Sequence, residues 1–147
     1  LSLERNKKQA RTMNNYKNLK IWQEAMELAV DVYQLTKSFP KDETYGLISQ
    51  LRRAAISIPS NIAEGAGRNN DREFKQFLGI ANGSTGEVDT QLIMSHRLEY
   101  ITEDTYNVYQ ERIDRIQKMN YNLQTRLSEA LAGGKPKTQD SGLNNTK

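Results

Sequence analysis

His96 is the single histidine of a 147-residue chain, and Glu99 follows it three positions later. A helical bundle that holds a carboxylate-bridged metal pair uses Glu-x-x-His motifs from two helices. Here the order is reversed and no second motif exists, so that ligand set is missing. Glu64 and Glu87 would form an acid-base pair only if packing brought them together in a cleft. Serines are plentiful, but no Gly-x-Ser-x-Gly elbow occurs, and neither Gly65 nor Gly67 is followed by the Gly-Lys-Ser or Gly-Lys-Thr of a phosphate loop. The absence of cysteine excludes thiolate chemistry and disulfides. No catalytic constellation is complete, so the chain reads as non-catalytic and without a cofactor or metal.

The polar residues that remain are set in an apolar frame. Ser57-Ile-Pro-Ser-Asn-Ile-Ala-Glu-Gly65 continues the helical stripe Leu47, Leu51, Ala54, Ile58, Ile62. Pro59 inside that helix costs roughly 3 kcal/mol, because its ring removes a donor and crowds the preceding turn. Asn61 and Glu64 lie three apart and share a face. One reading makes them a polar network at a kinked helix or subunit seam, with Arg53 or Arg68 as counter-charge for Glu64. In that reading Ser57 or Ser60 caps the carbonyls that Pro59 frees. In the other, Glu64, Glu87 and the arginines line a pocket for a ligand or a partner's tail.

Arg52, Arg53, Arg68, Arg72 and Lys75 gather around the second turn, only partly offset by Glu64, Asp71 and Glu73. They form either a solvated, salt-bridged surface or a phosphate site, and in an oligomer even weak contacts to RNA would add through avidity. The formal charge of +3 is misleading as a sign of nucleic-acid binding. Residues 1–12 hold four basic groups against one acidic, and residues 132–147 three against one, leaving 14 basic and 16 acidic between them. That region carries −2 and is not basic. Trp22, Tyr33, Phe74 and Phe77 fall on core stripes, so no base-stacking motif appears.

The elements that position these residues are helices. The first, about 18–38, has one stripe at Leu19, Trp22, Met26, Ala29 and Tyr33 and another at Ile21, Ala25, Leu28, Val32 and Leu35. Two stripes mean two contact faces, more than one bundle covers, so copies are expected to associate. Phe39-Pro40 stops this helix, and the second is predicted over 43–65, ended by Gly65. The third, 71–100, holds Gly79, Gly83 and Gly86 among Phe74, Phe77, Leu78, Ala81, Val88, Leu92 and Ser95. Such glycines imply close approach by a neighbouring helix or a broken helix. The fourth, 103–131, repeats Tyr109, Ile113, Ile116, Leu123 and Leu127. Short loops predict an antiparallel up-down-up-down four-helix bundle over 16–131. Residues 1–15 read as an upstream or appended leader and 132–147 as a disordered polar tail. No run is long and apolar enough to span a membrane, and the expected compartment is the cytoplasm.

Tyr16-Lys-Asn-Leu-Lys-Ile-Trp22, Phe39-Pro40, Tyr45-Gly-Leu47, the block Gln50 to Gly65, and Gly83-Ser84 with Glu87 and Gln91-Leu92 resemble the four-helix-bundle proteins of the 23S rRNA intervening-sequence family. The resemblance runs from about Tyr16 to Leu131. It implies a bundle that assembles as a ring-shaped homopentamer with no enzymatic activity. Similar pentamers serve as accessory proteins of diversity-generating reverse transcriptases, which implies RNA or a nucleic-acid-processing protein as a further partner. Those accessory pentamers are markedly basic, whereas this core carries −2.

Overall fold

The stretches of 3-4 apolar spacing fold as four helices in a computed structural model that describes residues 16–133. A 3-10 turn, Tyr16–Asn18, leads into α1 (Lys20–Thr36). A second, Lys41–Glu43, precedes α2 (Leu47–Ala66). Then follow α3 (Asp71–Arg97) and α4 (Glu103–Ala132), with no strand among the described residues. The leader, and the tail from residue 134 onward, lie outside the described residues.

The helix ends follow local chemistry. Asn70 Oδ1 accepts from the Glu73 N–H at 2.8 Å and Thr102 Oγ1 from the Thr105 N–H at 3.2 Å, each satisfying a donor that a first turn leaves free. The second helix begins four residues later than the predicted 43. Pro40 first directs the chain into a 3-10 turn, and α2 starts where the Glu43 carboxylate can accept from the Leu47 N–H at 3.3 Å. α3 stops before 100 because Glu99 turns left-handed, at φ 62°. The Tyr100 N–H then donates to Ser95 O and the Glu99 N–H to His96 O, the paired bonds of a Schellman ending.

Ala25, Leu28, Val32, Leu51, Ala55, Ile58, Ile62, Leu78, Ala81, Val88, Leu92, Ile113 and Ile116 are fully buried and form one core. Each large member contributes about 1.5–3 kcal/mol by leaving water. α2 packs most extensively on α3, α3 on α4 and α1 on α2, and α4 returns to α1. The backbones of α1 and α3 do not approach one another, nor do those of α2 and α4. Each helix therefore keeps two neighbours and an outward face. Gly65 does not end α2. It lies inside the last turn, where an added Cβ would sit 2.7 Å from Phe77 Cβ and 3.2 Å from Phe74 O. The close approach that glycine permits occurs there. No helix among the described residues is long and apolar enough to cross a membrane.

Candidate functional site

The polar residues of α2 meet α3 along one seam. Ser57 Oγ lies 2.7 Å from Ser84 Oγ, and Asn61 Nδ2 donates to Ser57 O at 2.8 Å and to Ser57 Oγ at 2.9 Å. Ser84 is buried, so the contact is a small polar clasp inside an apolar interface. Ser57 is thereby committed to Ser84 and Asn61. Neither it nor Ser60 caps a carbonyl freed by Pro59 among the described hydrogen bonds, contrary to the sequence expectation. Ala55 O is left without the helical donor that proline lacks.

Glu64 stands apart from this clasp. It pairs with Arg68 at 2.7 Å on the surface, both side chains about half exposed, and Arg68 also lies over the Phe77 ring at 5.2 Å. Arg68 is thus the expected counter-charge, but the pair is not part of a buried network. Glu64 lies level with Phe77, whereas Glu87 is further along α3 by about 15 Å at 1.5 Å per residue. The two carboxylates do not share a cleft. Beside the seam, Gln91 Oε1 is the one buried side-chain oxygen among the described residues with no partner.

The five cations also separate. Arg52 Nε donates to Thr36 Oγ1 at 2.9 Å and Nη2 to Tyr33 O at 3.2 Å, while its guanidinium stacks over the Tyr33 ring at 4.7 Å. Those bonds satisfy carbonyl and hydroxyl groups at the end of α1, leaving Arg53 exposed beside them. Arg68, Arg72 and Lys75 sit beyond the far end of α2, about 20 Å away along the helix. Arg68 is engaged by Glu64 and, at 3.9 Å, by Glu73. Lys75 opens instead onto a polar groove with Asn82, Gln117 and Tyr121. Among the described residues no cluster of three or more His, Cys, Asp or Glu side chains is placed to hold a metal.

An unfilled groove lined mostly by apolar side chains lies between α1 and α2. Trp22, Met26, Val30, Tyr33, Ile56 and Pro59 line an open groove of about 490 Å³. Met26 and Tyr33, assigned to a stripe of α1, each remain 37% exposed, and Val30 and Ile56 beside them remain 53% and 44% exposed. A second bare surface runs along α3. An added Cβ at Gly79, Gly83 or Gly86 would meet nothing within 4 Å, and the helix is unbroken through all three. The neighbour those glycines were expected to admit is not in this protomer. Asn120, only 1% exposed and donating to Leu78 O at 2.9 Å, escaped the sequence reading. Its signal was present: it fills the missing step of the stripe Ile113, Ile116, Leu123, Leu127.

With this geometry in view, the family of 23S rRNA-intervening sequence proteins matches the chain over residues 17–122. The chain belongs to that family. A crystal structure of a protein with unknown function from the S23 ribosomal protein family of Bacteroides thetaiotaomicron VPI-5482 shares the fold, with a TM-score of 0.66. The two are 23% identical, and the likeness covers 71% of this chain and 95% of the other. No curated protein sequence matches. In this intervening-sequence protein the block Gln50 to Gly65 thus supplies three structural parts: the Arg52 anchor to α1, the Ser57–Asn61 half of the clasp, and the Gly65 crossing.

Proposed function

We propose that this 23S rRNA-intervening sequence protein is a non-catalytic scaffold whose copies assemble into a homo-oligomeric ring. Its helices run up-down-up-down. Support for that topology comes from register: Gln110 bonds Asp89 while Asn120 bonds Leu78, so α4 descends as α3 ascends. Likewise Ser57 meets Ser84 while Gly65 meets Phe77, and Arg115 meets Glu24 while Arg112 meets Asp31. The observation that carries the assembly is the groove of Trp22, Met26, Val30, Tyr33 and Ile56, apolar and open on one protomer. Five subunits is the number the family resemblance implies.

Light scattering coupled to size-exclusion chromatography at micromolar concentration tests this reading. A multiple of the 16.8 kDa protomer mass is expected, and a monomer would overturn it. RNA as a partner has less support, since Arg52 and Arg68 are already engaged within the protomer. An RNA pull-down comparing the full chain with residues 13–131 checks it, the shorter chain being expected to retain none.

A further inference from the structure

We infer that the α1–α2 groove of one copy receives the outward face of α3 from a second copy, an unlike-to-unlike contact. This rests on the oligomeric reading above and specifies its surfaces. Two exposed stripes have the spacing that lets helices interlock. On α1 it is Gln23, Met26, Val30, Tyr33 and Lys37, and on α3 it is Gln76, Ile80, Gly83, Glu87, Thr90 and Met94. Both step by three and four residues, both face away from the core, and each has large apolar side chains. The α3 stripe has Gly83 near its middle, where a partner's Tyr33 or Val30 meets backbone rather than a side chain. Lys37 and Glu87, of opposite charge, make no ion pair among the described residues.

A single protomer cannot bring these faces together, because α1 and α3 occupy non-adjacent corners of the bundle. The two faces differ in shape: the groove is lined by Trp22, Met26 and Tyr33, and the α3 stripe is a helix surface lowered at Gly83, where a partner's bulky side chain finds room. The area is sufficient. At roughly 200 Å² per large side chain, Met26, Val30, Tyr33 and Ile56 leave on the order of 300 Å² uncovered in the groove. Ile80, 52% exposed, and Met94, 48% exposed, add on the order of 200 Å² by the same reckoning. At the roughly 57% apolar share of an ordinary interface this corresponds to about 900 Å². The open edge of Trp22 and the glycine backbone bring it to the ~1,000 Å² that a specific contact requires. A contact between unlike faces repeats from copy to copy and closes into a ring when its rotation allows.

Light scattering on wild type, Val30→Glu and Gly83→Leu tests the pairing. Gly83→Leu has open space in the protomer, so circular dichroism should show undiminished helix while the mass falls to that of a monomer. Val30→Glu, at a half-exposed position, should behave likewise. Mixed in equal amounts, the two variants should form a dimer and stop there, since one retains an intact α3 face and the other an intact groove. Variants that keep the wild-type mass, or a mixture that stays monomeric, would overturn the pairing while leaving self-association standing. A monomeric wild type would remove both.

Discussion

Glu99 is the one non-glycine residue among those described with a positive φ, and its side chain is exposed. An L residue in the left-handed region costs roughly 1–2 kcal/mol, which glycine largely escapes. Glu99→Gly should therefore raise unfolding stability by about 1 kcal/mol, read from urea denaturation. Tyr109 makes a prediction about pH. Its hydroxyl donates to Asp31 O at 3.2 Å, and burial, reinforced by the Asp31 carboxylate, holds its pKa above the usual 10.0. Above that pH the unfolded chain loses the proton before the folded one does. The stabilisation is complete below pH 10 and disappears as pH rises through the folded-state value. Tyr100, which donates to Glu43 Oε2 at 2.9 Å, is raised in the same sense, chiefly by that bond. Thermal melts between pH 9 and 11 should fall more steeply for wild type than for Tyr109→Phe; parallel curves would show that the phenol is not the source.

At the scale of the helix, the glycines divide into two kinds with opposite consequences. Gly65→Ala gains helix propensity but drives its methyl against Phe77 Cβ and Phe74 O, neither of which is a flexible tip. A loss of about 1–3 kcal/mol is expected, as for other overpacked contacts. Gly86→Ala meets open space, so the protomer should gain up to about 1 kcal/mol. Guanidinium denaturation of the two variants checks both signs. This difference also marks what the sequence could tell. Periodicity located all four helices because each buries one stripe, and Asn70 and Thr102 are ordinary start signals. Periodicity does not say which glycine touches a neighbour, since that depends on where two axes cross. Gly65 therefore read as a stop, and Gly83 as a contact. The same limit applied to Arg52 and Arg68, neighbours in the sequence pattern yet anchored at different ends of α2 by partners on α1 and α3.

For the whole molecule, the charge division and the exposed stripes lead to one physical distinction. The region between the charged ends carries −2 spread over both signs, so repulsion between copies is small and salt has little to screen. What holds copies together in the proposed ring is apolar surface, which salt does not weaken. Phosphate binding behaves in the opposite way, because each neutralised phosphate releases a counterion and affinity falls steeply with added salt. Association also couples to folding: a partner that binds only the folded chain stabilises it by mass action, so the melting temperature must rise with protein concentration. Wild-type protein should accordingly melt several degrees higher at 100 μM than at 1 μM (about 2–8 °C per kcal/mol gained), and the difference should persist in 1 M NaCl. Val30→Glu, lacking the groove's central apolar contact, should melt at a temperature independent of concentration. If the wild-type dependence vanished in high salt, the force between copies would be ionic, and the apolar groove would not be the surface that joins them.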